Sequence, residues 1–250
     1  LIAYVTEDEN LLCLIDPSDN SETCITGSGI AASPAWSPDG RSLAYSLRDS
    51  YDVPGQVMIY SMDTASATML ELGIEEEWYY IAMGAIAWSP DGQHLLLDSG
   101  TSMSRGEYVV DATTGAVIHS LSTIGEARWS PDGSQLAMGV REPLETPHPD
   151  QLGDAVSIAI LTVGQDEDPQ VVLAGSYETS YFLQAWLPDG RLLLNQSNWN
   201  EDAMSSSDWL PVTFTPGESS AAQPAQDIPL AYDQDALRAL LPAEMQNEAW

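Results

Sequence analysis

The segment AWSPDGRSLAY at residues 35–45 returns as AWSPDGQHLLL from 87, RWSPDGSQLAM from 128 and AWLPDGRLLLN from 185. A repeat on this scale constrains the fold more than any other feature. Each copy must be one supersecondary unit that buries its apolar surface only by packing on its neighbours. In the first copy, Ser37-Pro38-Asp39-Gly40 suits a type I turn, with Ser at the first corner, Pro preset for the second and Gly last. A type I turn followed by Gly in the left-handed region makes a three-residue hairpin. The flanks are strand-like: in RSLAYSL, Leu43, Tyr45 and Leu47 alternate onto one face.

A second hairpin pattern follows each copy: VMIYSMDTASATMLEL, then EYVVDATTGAVIHSL, then VSIAILTVGQDEDPQVVLAG. Each unit therefore holds four strands. The tryptophans that open the copies lie 52, 41 and 57 residues apart (36 to 88, 88 to 129, 129 to 186). Four strands in such a repeat describe the blade of a β-propeller, an all-β fold. At the amino end, LIAYV…LLCLIDPSDNSETCITG matches the second to fourth strands of a blade without its first. Near the other end, AYDQDALRALL (231–241) aligns with AWSPDGRSLAY, with Tyr232 at the Trp position.

We expect residues 228–232 to supply the missing inner strand and close a five-bladed ring. The blades are then 1–30 with 228–232, 31–72, 84–122, 125–175 and 181–227. Leu237, Leu240 and Leu241 share a helical face before Pro242, so 233–250 is expected to form a short C-terminal helix and tail. If the sequence is a piece of a longer chain, the ring has six or more blades.

Charge narrows the partners. Thirty-eight acids face seven bases, all arginine, for a net charge of -31. Nucleic acids and anionic membranes are bound through basic patches, and this composition argues against both. No apolar run reaches the 18 or so residues needed to cross a bilayer, so direct membrane insertion is not expected. The acidity suits a solvated surface in a salty or extracellular setting, clustered carboxylates that bind a cation, or a basic partner. The chain opens at Leu1 in a strand pattern, which we read as a removed leader or anchor, or as a cut within a longer chain.

Only two cysteines occur. If Pro17-Ser18-Asp19-Asn20 forms a loop, Asp16 faces Ser21 and Cys13 faces Cys24. Opposed strand residues are close enough for a cross-strand disulfide, which would point to an oxidising compartment. Two small buried thiols are the alternative. The cysteine spacing fits no zinc motif, and the histidines at 94, 119 and 148 are scattered.

The repeats resemble those of the TolB-type propeller family, whose core is a WSPDG turn followed by an apolar strand. Three copies carry it whole: Trp36, Pro38, Asp39 and Gly40; Trp88, Pro90, Asp91 and Gly92; Trp129, Pro131, Asp132 and Gly133. The fourth reads WLPDG, with Trp186, Pro188, Asp189 and Gly190. The resemblance implies the fold and an extracellular, cell-surface or periplasmic location. It does not imply one activity, since such repeats occur in periplasmic scaffold proteins, secreted surface proteins and propeller domains beside serine peptidases. No G-x-S-x-G elbow is present, nor a counterpart of TolB's amino-terminal domain, so neither hydrolysis nor a Tol–Pal role carries over. The Gly-His and Trp-Asp dipeptides of WD repeats are absent as well.

Connections in a propeller alternate between two faces. The SPDG turns and the third-to-fourth strand turns share one face and are short here. The other face takes the longer second-to-third strand loops and the blade links, which hold Tyr51, Trp78, Tyr79, Tyr80, Tyr177, Tyr181, Trp199 and Trp209 among acids. Loops on a rigid scaffold are where binding concentrates, and aromatic rings beside polar groups suit protein contacts or sugar faces. Arg48, Arg105 and Arg141 map to successive loops of that face, where they would either grip an anion or pair with nearby acids.

Three readings follow. The chain is a non-catalytic binding or scaffold module contacting a protein or glycan, a subunit of a surface assembly, or a propeller glycosidase or lyase. The last needs paired carboxylates at defined separation, and no pair stands out. No cofactor is expected. Acidic loops could hold Ca²⁺ through oxygen ligands, but no EF-hand spacing appears, and QDEDPQ (165–170) reads as a solvated turn.

Overall fold

The computed structural model describes residues 1–50, 53, 55–73, 86–98, 105–143, 154–176, 178–198, 209–218 and 221–225. All regular structure among them is β. The first sheet contains β1 (Ile2–Val5), β2 (Leu12–Asp16) and β3 (Ser21–Cys24). The second contains β4 (Ile30–Trp36), β5 (Ser42–Arg48), β6 (Gln56–Ser61) and β7 (Ser66–Met69). A seven-stranded sheet follows: β8 (Ile86–Trp88), β9 (His94–Asp98), β10 (Arg105–Asp111), β11 (Val117–Trp129), β12 (Gln135–Pro143), β13 (Asp154–Thr162) and β14 (Gln170–Leu173). The last contains β15 (Thr179–Trp186), β16 (Leu192–Asn198), β17 (Trp209–Phe214) and β18 (Gln223–Pro224). Within each sheet, strands pair antiparallel in chain order.

The seven-stranded sheet is two four-strand units fused through β11. Residues up to Thr123 pair with β10, and from Ile124 onward the strand pairs with β12. The register slips between Ile124 and Arg128, where Gly125 takes a φ of 77°. No turn residues other than this glycine interrupt STIGEAR, so the outer strand of one unit runs directly into the inner strand of the next. Inner strands elsewhere carry the same kind of irregularity, at Ala32–Ala35 in β4 and Leu183–Ala185 in β15. Such bulges bend a strand and increase its twist.

The core explains runs such as HLLLD. Leu95 and Leu97 pack with Ala44 and Val57 of the second sheet, while Leu96 points the other way to join Leu136 and Met138. Both faces of an interior sheet are therefore buried, and its strands read as continuous apolar runs instead of alternating ones. Further clusters join the first sheet to the second (Leu12 and Leu14 with Leu43 and Tyr45) and the fourth unit to the last (Ile158 with Leu194 and Phe214). Each core lies between successive units, so every unit is stabilised by its neighbours.

Cys13 and Cys24 are directly opposed in the β2–β3 register and joined by a disulfide, with Asp16 opposite Ser21 at the hairpin end. The closing segment 228–232 and the helix expected over 233–250 lie outside the described residues.

Candidate functional site

Each SPDG turn is held by its aspartate as well as by Pro and Gly. Gly40 N donates to Ser37 O at 2.9 Å and has a φ of 69°. Ser37 N in turn donates to Ser42 O, closing a loop of Pro38, Asp39, Gly40 and Arg41, one residue longer than the expected three-residue hairpin. Inside it, Asp39 Oδ1 accepts from Ser37 Oγ at 2.6 Å and Arg41 N at 3.0 Å. The pattern repeats at Asp91 with Ser89 and Gln93, and at Asp132 with Ser130 and Ser134. Leu187 replaces the serine in the fourth copy, where Asp189 instead takes Arg191 Nε at 2.8 Å. These bonds favour the ionised form. The Ser134 N–H and the Ser130 and Ser134 hydroxyls hold the Asp132 carboxyl down at about 2, and the Ser37 hydroxyl and Arg41 N–H lower that of Asp39.

Successive turns nest: Gly133 lies against Pro90, where an added Cβ would come within 3.3 Å of its Cδ. Between the first two turns is a cleft of about 530 Å³ lined by Pro38, Asp39, Trp88, Pro90 and Asp91. The turn face thus carries a rim of ionised carboxylates beside this cleft.

The opposite face holds the candidate binding groups. Trp209 opens β17 at the mouth of the loop that precedes it and is 53% exposed. Its ring packs on Phe182 with centroids 5.0 Å apart and a tilt of 57°. Leu210 beside it is 46% exposed. Ser197 is directly opposite Trp209, and Ser180 opposite Ser197, so hydroxyls adjoin the aromatic pair in the strand register.

Tyr181, by contrast, is half-buried and packs on the core between the last two units, and burial raises its phenol pKa. Arg48 ends β5, Arg105 begins β10 and Arg141 lies within β12 opposite Val156, so the arginines belong to strands and not to loops. Tyr51, Trp78, Tyr79, Tyr80, Tyr177 and Trp199 lie outside the described residues, as does the Arg105 side chain.

Three groups on or near this face had no clear sequence signal. Phe182 sits in SYFLQAW with no motif around it, and only the register reveals its partner. Asp98 and Glu107, opposed across β9 and β10, are buried at 4% and 1% exposure; an acid within each of LLLD and GEYVV was the available hint. Among the described residues, one trio has metal-ligand geometry, Cys13, Glu22 and Cys24, and its sulfurs are already joined to each other. No helix among the described residues is long and apolar enough to cross a membrane.

Successive antiparallel units, each packed face to face on the next, define the β-propeller class, and solved structures place the chain there. No family model matches the sequence, and no curated protein does. The β-propeller domain of the Trilobed protease from Pyrococcus furiosus, described as having an open velcro topology, is similar at 15% identity with a TM-score of 0.60. That similarity covers 90% of this chain and 66% of that one. TolB from Acinetobacter baumannii is similar at 18% identity with a TM-score of 0.53, over 89% of this chain and 51% of that one. The Pyrococcus horikoshii acylaminoacyl peptidase is similar at 16% identity with a TM-score of 0.60, over 90% and 37%. The chain thus spans less than two thirds of the length of each. At these identities the likeness shows the fold alone.

Proposed function

We propose that the chain is a non-catalytic binding or scaffold module that works outside the cytoplasm and contacts a protein or glycan through its loop face. The observation that carries this is Trp209, which is 53% exposed yet braced against Phe182 at 5.0 Å. A large ring held rigid in water loses little entropy on binding and offers apolar area to a partner or sugar. Ser197 in the adjoining register supplies a hydroxyl for orientation, while the Ser180 hydroxyl accepts Val156 N from the preceding unit at 3.2 Å. The Cys13–Cys24 disulfide suits an oxidising compartment, and a net charge of -31 disfavours nucleic acid.

The same reading gives the ring five blades, with residues 228–232 pairing beside β1 as the inner strand of the first. The likeness to TolB supports the propeller fold on which this reading is built.

The test is binding to a glycan array, with capture of extracellular proteins in parallel, by the native chain and by Trp209→Ala. Binding lost in the variant, with thermal stability kept, supports the loop face. Binding unchanged in the variant overturns that assignment.

A further inference from the structure

Glu107 is a carboxyl that receives a link N–H as the Ser157 hydroxyl does after the fourth unit, whereas at the first junction the link's own hydroxyl accepts a strand N–H. At the first, Thr26 Oγ1 accepts Leu12 N at 2.8 Å; after the fourth unit, Ser157 Oγ accepts Gly175 N at 2.8 Å. At the junction between the third and fourth units, the group that receives the link is Glu107. Ala127 N donates to its two oxygens at 3.0 and 3.1 Å. The residue is 1% exposed and lies directly opposite Asp98 on β9 and Leu121 on β11.

The surroundings decide what this carboxyl can do. From β9 it faces Asp98, and from the link it feels Glu126, whose charge is matched by Arg128 at 2.7 Å. The side chains that β12 and β13 bring to the adjoining core, Leu136, Met138, Ala159 and Leu161, are apolar. The Thr123 hydroxyl bonds the carboxyl and also lies 2.9 Å from Gly125 O. That hydroxyl has one proton and can satisfy one acceptor at a time.

Two arrangements follow. With Glu107 protonated, its O–H donates to Thr123 Oγ1, Thr123 donates to Gly125 O, and Ala127 N donates to the remaining carboxyl oxygen. Each of these four groups then has a partner. With Glu107 ionised, Thr123 must turn its proton to the carboxylate, Gly125 O loses its donor, and a charge stays buried beside Asp98. Gly125 is exposed, so its carbonyl can turn to water, and it is the buried charge of Glu107 that favours opening of the link.

We propose that Glu107 is a proton-operated latch between the third and fourth blades: protonated, it holds residues 123–127 closed, and on losing its proton to solvent it loosens that link. Burial in the interior pushes its carboxyl from 4.5 up to about 7, against the bonds from Ala127 and Thr123 and with Asp98 and Glu126 adding to the rise. The switch thus lies in the range where ordinary carboxylates no longer titrate. Since the link runs beneath the loop face, partner binding there would weaken with rising pH. That consequence alone rests on the proposed function; the latch does not.

The experiment needs no ligand. The Glu107 side-chain carbon and the exchange protection of the Ala127 amide are followed by NMR between pH 4 and 9, in the native chain and in Glu107→Gln. The carbon signal should titrate near 7. Ala127 protection should fall roughly tenfold per pH unit between 4.5 and about 7, then level off, while Leu12 at the Thr26 junction does not follow it. In Glu107→Gln, Ala127 protection should be flat. Titration below pH 5, or native Ala127 protection without this fall, overturns the latch. The native titration decides this even if the variant fails to fold. An unchanged fall in a folded Glu107→Gln protein also overturns it.

Discussion

The indole N–H of Trp88 donates to the backbone carbonyl of Ala35 at 2.9 Å, tying the repeat tryptophan of one blade to the inner strand of the blade before it. The tryptophan of the repeat is therefore more than apolar filling. Its counterpart Trp129 is also half-buried, but its indole nitrogen is buried without a hydrogen-bond partner among the described residues, and its ring stacks on His94.

This contrast predicts unequal effects for the same substitution. Trp88→Phe loses ring area and a part-buried hydrogen bond, leaving Ala35 O without its indole donor. Trp129→Phe loses similar area but also removes an orphaned donor. Trp88→Phe should therefore cost about 1 kcal/mol more than Trp129→Phe, the net worth of one such bond. Urea unfolding of the two variants measures the difference; equal costs would show that the Trp88 bond contributes nothing.

Asp132 should make part of the acid stability of the turns. Its folded carboxyl sits at about 2 against an ordinary 3.8, held there by Ser134 and Ser130. A depressed carboxyl contributes stability that is complete above the unfolded value and is lost as pH falls towards the folded one. The stability difference between the native chain and Asp132→Asn should therefore shrink from pH 3.8 down to about 2. Parallel acid-unfolding curves over that range would contradict the role given to this turn.

The disulfide should matter through the unfolded chain. Cys13 and Cys24 are 11 residues apart, and closing a loop of that size removes unfolded-state entropy worth about 3 kcal/mol. Paired Cys13→Ser and Cys24→Ser substitutions should lower stability by an amount of that order, read by denaturant unfolding under non-reducing conditions. No change would mean that the first sheet contributes nothing to the cooperative fold.

Closure of the ring by residues 228–232 is testable at β1. Alternate N–H groups of a paired strand face its neighbour, so of Leu230→Pro and Ala231→Pro one must remove a donor aimed at β1. One of the two should raise hydrogen exchange across Ile2–Val5, and the other should do so less. If neither changes exchange there, the ring is not closed by this segment. An open velcro arrangement, described for the Pyrococcus furiosus propeller, would then be the better guide.

The legible parts of this fold are those set by short-range chemistry. Pro38 and Gly40 announced the turn, Leu43, Tyr45 and Leu47 announced the strand after it, and the loop at 17–20 placed Cys13 opposite Cys24. The aspartate's role was missed because a Ser-x-Asp bond looks, in sequence, like solvated polarity. Fusion of two units through β11 was missed because Gly125 bends a strand without ending it. Phe182 with Trp209, and Glu107 with Ala127, depend on strand register and blade packing over long separations, which no local pattern encodes.

On this proposal the loop face binds and the turn face builds. It is tested most directly by comparing Trp209→Ala with Asp39→Asn and Asp91→Asn on one glycan array and in one extracellular protein capture. Trp209→Ala should abolish binding at unchanged fold, and the turn variants should lower stability while binding normally. Binding that survives Trp209→Ala and disappears in folded Asp39→Asn or Asp91→Asn protein would contradict it.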